Sequence, residues 1–186
     1  MEDGGHADDG GDHEHHHGES GGDGHHGHDL DSLGVAVLTV SSSRSLDDDP
    51  AGDALESAVE AADHETVARA IVTDDRAAVE GRVLDLVATP AVDTVVTTGG
   101  TGVTPDDVTV EAVAPLFDKD LPGFGELFRR RSYDEIGTRV VGTRATAGVA
   151  DGVPVFCLPG SENAARLGAE LVVAEAPHLA GLARRD

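Results

Sequence analysis

The fold of this chain is decided by the stretch TVVTTGGTG, residues 94–102. Its first four residues, Thr94 to Thr97, are apolar or β-branched and predict a short buried strand. The strand runs directly into a glycine-rich turn, Thr98-Gly99-Gly100-Thr101-Gly102. Ligands of open α/β sheets bind at the carboxyl ends of the strands. The stretch therefore predicts an α/β fold and indicates the sheet edge at which a site is expected.

Similar apolar segments occur on both sides of this stretch. From Leu33 onward, short runs rich in β-branched residues alternate with helix-like periodic segments, which is typical of βαβ units around a parallel sheet. Buried strands are predicted at residues 35–40, 66–72 and 153–158. We expect a three-layer α/β/α domain with a mostly parallel central sheet.

Helix starts are indicated by capping residues. Asp49-Pro50 predicts a cap followed by proline at the first helical position. Asp74 predicts the cap of a second helix, and Ser161 the cap of the helix that follows the strand at residues 153–158. Pro177 predicts the start of a last short helix.

The charge balance is extreme, with 36 acidic residues against 13 basic ones and a formal net charge of -23. Such a surface repels the phosphates of nucleic acids, so we expect no nucleic-acid partner. The composition suits a protein that works in concentrated salt, where charge interactions are screened beyond about 3 Å at 1 M. A halophilic, archaeal host is the hypothesis that follows.

The amino-terminal part differs from the rest of the chain. Residues 1–29 carry almost no apolar side chains and predict a disordered tail, while residues 30–186 predict one domain. Eight of the ten histidines lie in this tail, at positions 6, 13, 15, 16, 17, 25, 26 and 28. Clustered imidazoles can capture Zn, Ni or Cu, although a solvated tail without a metal role explains the composition more simply.

Targeting signals and reactive thiols are also informative. No apolar run approaches the roughly 20 residues that cross a bilayer, and no basic segment followed by an apolar one marks a secretory signal. We therefore expect a cytoplasmic protein without a membrane partner. The single cysteine, Cys157, lies in an apolar run and is predicted to be a buried structural thiol.

The glycine turn could bind phosphate, because glycines let backbone N–H groups approach an anion. A tight turn without a ligand is the alternative.

Asp107 after the turn could hold Mg²⁺ against phosphates, or could form a capping box with Thr104. Asp74 has the same ambiguity between a helix cap and a site acid. The loop at residues 158–161 again presents Gly and Ser at a helix N-terminus, which favours a bound phosphate.

Two groups of arginines stand out in so acidic a chain. Arg144 and the run at residues 129–131 could clamp phosphates. For the run, a solvated or intersubunit ion-pair feature is the preferred interpretation, because charge runs usually lie on the surface.

Taken in order, these motifs resemble those of the MoaB/Mog family. The resemblance rests on TGGTG at residues 98–102 followed by Asp107-Val108-Thr109, on LPGFGELFR at residues 121–129, on Thr143-Arg144-Ala145 with Gly148, and on LPGS at residues 158–161. It covers about residues 33–184.

The resemblance implies an α/β/α domain, assembled into a homotrimer or homohexamer, that binds molybdopterin. Catalytic members use Mg-ATP to transfer AMP to the terminal phosphate of the pterin, with release of pyrophosphate. By matching positions, Asp74 and Asp107 are implied to be catalytic acids or Mg²⁺ ligands. The implied substrate-binding and nucleotide-binding residues are Ser41, Ser42, Ser43, Gly99, Gly100, Thr101, Gly102, Thr109, Arg144, Gly148, Pro159, Gly160 and Ser161.

Two positions depart from the family pattern. Asp106 stands where active relatives often carry a basic residue, and Thr143 replaces a serine. Two alternatives to an adenylating enzyme therefore stay open: a non-catalytic protein that binds or delivers molybdopterin, and a metal-handling protein that acts through the histidine-rich tail.

Overall fold

A computed structural model describes Met1 and residues 29–185. The predicted histidine-rich tail lies almost entirely outside these residues. Among the described helices, none is both long enough and apolar enough to span a bilayer.

The centre of the domain is a six-stranded sheet in the order β2-β1-β3-β6-β5-β4. Strands β1, β2, β3 and β6 are parallel, whereas β5 runs antiparallel to β6 and β4 runs antiparallel to β5. The bounds are β1 Gly34–Val40, β2 Glu65–Val72, β3 Thr94–Thr98, β4 Lys119–Asp120, β5 Thr146–Ala150 and β6 Val153–Leu158. The predicted mostly parallel sheet is confirmed.

Helices cover both faces of the sheet and complete the predicted three layers. Their bounds are α1 Pro50–Ala61, α2 Arg76–Val87, α3 Thr109–Val113, α4 Pro122–Ile136 and α5 Glu162–Ala183, with 3-10 turns at Ala114–Leu116 and Gly137–Gly142. The core on one face is built from α1, α4 and α5. The core on the other face is built from α2 and α3.

The sheet topology determines where a ligand can bind. Strand β1 pairs with β2 on one side and with β3 on the other, so the chain crosses over β1 on its way from β2 to β3. The loops that leave β1 and β3 therefore diverge to opposite faces of the sheet, which opens a crevice between them. The first strand, the glycine-turn strand and β6 all end at this edge.

Helix α1 shows how local sequence sets these positions. Asp49 caps the helix by accepting a hydrogen bond from the Gly52 backbone N–H at 3.1 Å, and Pro50 follows as the first helical residue. The buried face carries Ala54, Leu55 and Val59. The cap and the apolar periodicity agree with the sequence prediction.

Two predicted helix starts are wrong. The carboxylate that caps α2 belongs to Asp75, whose side chain accepts from the Ala78 N–H at 2.9 Å, and not to Asp74. Pro177 lies inside α5 and does not begin a separate helix. The helix continues through the proline, and Ala176 and Ala180 on either side of it are buried in the core.

Gly148 lies in the middle of β5, where it pairs with Asp120 and Val155. A β-carbon added at this glycine would overlap the ring of Phe117. Packing against a neighbouring ring therefore explains this glycine without a ligand.

We expect Gly148→Ala to destabilise the protein by about 1 to 3 kcal/mol, because the extra methyl must displace a packed ring. The matched control is Gly81→Ala on α2, where a β-carbon would meet nothing within 4 Å. That change should raise stability by about 0.5 to 1 kcal/mol, since glycine disfavours helix. Urea unfolding of both variants measures the difference, and equal stabilities would contradict this account of Gly148.

Candidate functional site

A cleft of about 650 Å³ lies at the carboxyl ends of β1, β3 and β6. The glycine turn and the loop at residues 158–161, for each of which the sequence indicated a phosphate site, meet here with the end of β1. The predicted site residues on its wall are Ser41, Gly99, Gly100, Thr101, Gly102, Asp107, Pro159, Gly160 and Ser161.

The glycine turn packs closely against its neighbours. Gly99 and Gly100 have φ angles of 102° and 66°, which side chains with a β-carbon rarely adopt. A β-carbon at Gly99 would overlap the carbonyl of Val40 at the end of β1. A β-carbon at Gly160 would lie 3.0 Å from the Cα of Gly99. The three strand ends can approach one another only because these positions lack side chains.

Hydrogen bonds hold the turn from behind. The Thr109 hydroxyl donates to the Gly99 carbonyl at 2.7 Å, and the Thr109 N–H donates to the Gly100 carbonyl at 3.0 Å. The Thr98 hydroxyl donates to the Pro159 carbonyl at 3.0 Å and so ties the turn to the loop after β6. Thr109 is fully buried. Its role is therefore to shape the turn from beneath the cleft wall.

The turn presents polar groups that have no protein partner. Within residues 29–185, the backbone N–H groups of Gly100 and Thr101 donate to no protein acceptor. The Thr101 hydroxyl is also buried without a hydrogen-bond partner. Backbone N–H groups gathered in a turn of positive φ form a concavity that binds anions. A phosphate oxygen is the ligand that these donors fit.

Asp107 lies on the wall beside this turn. Its Oδ2 accepts hydrogen bonds from the Thr104 N–H at 2.8 Å and from the Thr104 hydroxyl at 2.6 Å. Partial burial raises the pKa of the carboxyl, but hydrogen bonds from Thr104 and Gly102 and the charge of Arg144 outweigh burial and hold the pKa below its ordinary value. The carboxyl is therefore ionised at neutral pH. The Thr104–Asp107 contact of the capping-box alternative is present, but it caps no helix, because α3 begins only at Thr109.

Arg144 braces the loop that carries Asp107. Its Nε donates to the Gly102 carbonyl at 2.7 Å, and its Nη2 donates to the Asp107 carbonyl at 3.0 Å. The same guanidinium pairs with the Glu111 carboxylate. The side chain thus contacts the backbone of the glycine turn and is absent from the cleft wall that the described residues form.

Asp74 is tied to the serine loop after β1. Its Oδ2 accepts from the Ser42 N–H at 2.7 Å, and the Ser42 hydroxyl accepts from the Asp74 N–H at 3.2 Å. The Ser41 hydroxyl in turn accepts from the Ser43 N–H at 3.2 Å. Ser41 lines the cleft, whereas Ser42, Ser43 and Asp74 are not among its lining residues. Asp74 does not cap α2, and its carboxylate holds the serine loop instead.

Asp49 also lines the cleft, although the sequence predicted it only as a helix cap. It is 1% exposed, and its Oδ2 accepts from the Thr39 hydroxyl at 2.6 Å and pairs with Arg69 at 3.2 Å. Arg69 reaches it from β2. Asp49 begins the helix that follows β1, and its place after the carboxyl end of a predicted strand is a signal that could have indicated it.

The charges on the cleft wall are mostly negative. Asp49, Asp107 and Glu162 contribute carboxylates, and Arg44 is the only basic side chain that the described part of the chain places there. Arg44 itself pairs with Asp48 at 3.3 Å on the exposed surface. A polyphosphate therefore needs a cation to enter this cleft.

The donor set near the cleft fits Mg²⁺ shared with a substrate. Residues 29–185 contain no cluster of three or more His, Cys, Asp or Glu side chains that could hold a metal alone. Mg²⁺ commonly takes one or two carboxylates and completes its shell with phosphates and water. Asp107, which lines the cleft, can supply one such carboxylate, whereas Asp74 bonds to the serine loop and is not among the lining residues.

We expect Thr104→Val to raise the pKa of Asp107, because the change removes the hydroxyl that donates to the carboxylate. The contribution of that lowered pKa to stability is present above the unfolded-state pKa and is lost as pH falls through the folded-state pKa. Carbon-detected NMR titration of the carboxyl measures the shift, with the exposed Thr138→Val as control. An unchanged Asp107 titration would refute the assigned contact.

Comparisons with known proteins agree with this geometry. The sequence profile of a family described as "Probable molybdopterin binding domain" matches residues 36–179. "Molybdenum cofactor biosynthesis protein B" of Escherichia coli (strain K12) is 43% identical over 140 residues, which cover 75% of this chain and 82% of that protein. "Molybdopterin adenylyltransferase" of Pyrococcus furiosus is 48% identical over 118 residues, which cover 61% of this chain and 69% of that protein.

A solved structure titled "Crystal structure of Molybdenum cofactor biosynthesis protein B" superposes with a TM-score of 0.80 at 38% identity. The match covers 83% of this chain and 98% of that one. The chain therefore belongs to the family of molybdopterin-binding domains that the motif series indicated, the MoaB/Mog family.

Proposed function

We propose that this protein adenylates molybdopterin in molybdenum cofactor biosynthesis, using Mg-ATP and releasing pyrophosphate. The observation that carries the proposal is the convergence of unpartnered turn N–H groups and an ionised Asp107 in one cleft. The name of the 48% identical Pyrococcus relative supports the same activity.

The reaction needs positioning and charge neutralisation more than a reactive side chain. An oxygen of the pterin's terminal phosphate attacks the α-phosphorus of ATP. The bond from that phosphorus to the bridging oxygen breaks, and pyrophosphate leaves with the electron pair. The attacking group belongs to the substrate, so the protein needs no nucleophilic serine or cysteine. Consistent with this, burial raises the pKa of the Cys157 thiol to about 12.

Each part of the cleft has a distinct role in this proposal. The N–H groups of Gly100 and Thr101 hold phosphate oxygens. Asp107 and Asp74 would hold the magnesium ion, which neutralises phosphate charge when it is bound. Arg144 keeps the glycine turn and Asp107 in a fixed relation by bonding to the carbonyls of both. Homotrimer or homohexamer assembly, a cytoplasmic location and a halophilic host stay predictions.

The direct test incubates the full chain with molybdopterin, ATP and Mg²⁺ and measures adenylylated pterin and pyrophosphate. We expect Asp107→Asn to lower kcat/KM by roughly 100-fold, because the neutral amide loses the charge that faces the metal. The amide oxygen can still accept from Thr104, so the fold should persist.

Asp85→Asn on α2 is the matched control and should leave turnover unchanged. Absence of product with the wild type at every magnesium level, together with retained pterin binding, would favour the binding and delivery alternative.

A second prediction concerns Asp106, the acid that stands where active relatives often carry a basic residue. We expect Asp106→Lys to lower the KM for Mg-ATP by about threefold at low ionic strength, because it replaces repulsion of the phosphates by attraction. This decrease in KM should disappear near 1 M salt, where screening shortens the range of charge interactions to about 3 Å. Steady-state kinetics at both salt levels measure it, and an unchanged KM at low salt would show that residue 106 does not act on the nucleotide.

A further inference from the structure

The first residues of the folded domain are fastened to α5 near its carboxyl end. The Leu30 N–H donates to the Pro177 carbonyl at 3.3 Å, and Nδ1 of His178 lies 2.8 Å from Oδ1 of Asp29. Leu30 also packs against the core on that face of the sheet. His178 lies 16 residues beyond Glu162, the first residue of α5, so these contacts are about 24 Å along the helix from the phosphate cleft. They belong to a separate part of the surface.

The contact with Asp29 decides which ring nitrogen of His178 can bind a cation. A carboxylate accepts hydrogen bonds and donates none, so Nδ1 carries the hydrogen and Nε2 keeps its lone pair in the neutral ring. Within residues 29–185, Nε2 makes no hydrogen bond, and the side chain is 37% exposed. Histidines that bind metals almost always donate their other ring N–H to such a partner. The Asp29–His178 pair is therefore an oriented metal ligand.

Further imidazoles stand next to this ligand in the sequence. The described residues contain no group of three metal-binding side chains, so His178 needs ligands from elsewhere in the chain. His28 directly precedes Asp29, and two more histidines stand at positions 25 and 26. These three lie outside the described residues, but the length of the intervening chain keeps their Cα atoms within about 14 Å of that of Asp29. Zn²⁺ binds imidazole nitrogen and takes four ligands in structural sites, which is the number of imidazoles available here.

We propose that His178 and the histidines at positions 25, 26 and 28 form a site for a divalent transition-metal ion that ties the amino-terminal segment to α5. Zn²⁺ is the probe, and Ni²⁺ and Cu²⁺ share its preference for imidazole. The Asp29–His178 pair supplies the fixed geometry that a histidine-rich segment lacks by itself. The net charge of -23 favours the approach of a cation. This inference does not depend on the proposed function.

The test measures Zn²⁺ binding to the full chain at neutral pH by competition with a chromophoric zinc chelator. We expect His178→Gln to weaken the tightest site by at least roughly tenfold, because loss of even an outer partner of a ligand costs that much. Asp29→Asn should weaken it by about tenfold for the same reason. His64→Gln is the matched control, since His64 is the other histidine among the described residues, and it should leave the affinity unchanged.

A second comparison removes three histidines from either of two places in the amino-terminal segment. One variant carries the changes nearest Asp29, which are His25→Gln, His26→Gln and His28→Gln. The other carries three distant changes, which are His13→Gln, His15→Gln and His16→Gln. The first variant should lose the tightest site, whereas the second should keep it, because the cost of closing a loop onto His178 rises with the length of the loop.

Long-range proton–nitrogen NMR of the full chain separates a direct ligand from a structural role. Zn²⁺ should shift the Nε2 resonance of His178 and leave Nδ1 protonated. An Nε2 resonance that stays in place at saturating Zn²⁺ overturns the proposal without the use of any variant. Equal affinity of the wild type and a folded His178→Gln variant also overturns it, because the amino-terminal segment would then bind the ion alone.

Discussion

The contact between the Gly99 backbone and the Val40 carbonyl is the constraint on which the cleft depends. It joins the ends of β1 and β3, the two neighbouring strands whose following loops diverge to opposite faces of the sheet. Gly160 then brings the end of β6 against the same glycine. No β-carbon fits at these contacts, and hydrogen bonds from Thr109 and Thr98 hold the turn in place. That rigidity fixes its N–H groups before any ligand arrives, which lowers the entropic cost of binding.

The second feature of the cleft is that its electrostatics oppose its proposed ligands. Side-chain carboxylates outnumber basic groups on the wall, and the protein as a whole has a net charge of -23. Phosphate recognition must therefore rest on backbone dipoles and on a cation. Arg144 illustrates the consequence, because its guanidinium bonds to carbonyls of the turn and to Glu111. The positive charge stabilises the loop from outside and does not sit among the phosphates.

Local signals in the sequence predicted much of this structure. Apolar periodicity predicted the strands and the layers, and Asp49-Pro50 predicted the first helix, because these signals depend on nearby residues. Asp74 and Asp75 were indistinguishable as caps, since only backbone geometry decides which carboxylate reaches the helix. Gly148 matched a motif, but the ring that explains it comes from a separate segment. A second cavity, between α4 and the first turns of α5, could not be predicted for the same reason, because packing alone brings Glu135 near Asn163.

The first turn of α5 lies between the cleft of about 650 Å³ and a second, more apolar cavity of about 440 Å³. Ser161 caps α5, and its hydroxyl accepts from the Ala164 N–H at 3.3 Å, so the first turn of a 22-residue helix is held rigid. One side of that turn faces the glycine turn, and the other faces the apolar cavity. Because Pro159, Ser161 and Glu162 line both cavities, the backbone of this loop fixes where one cavity lies relative to the other.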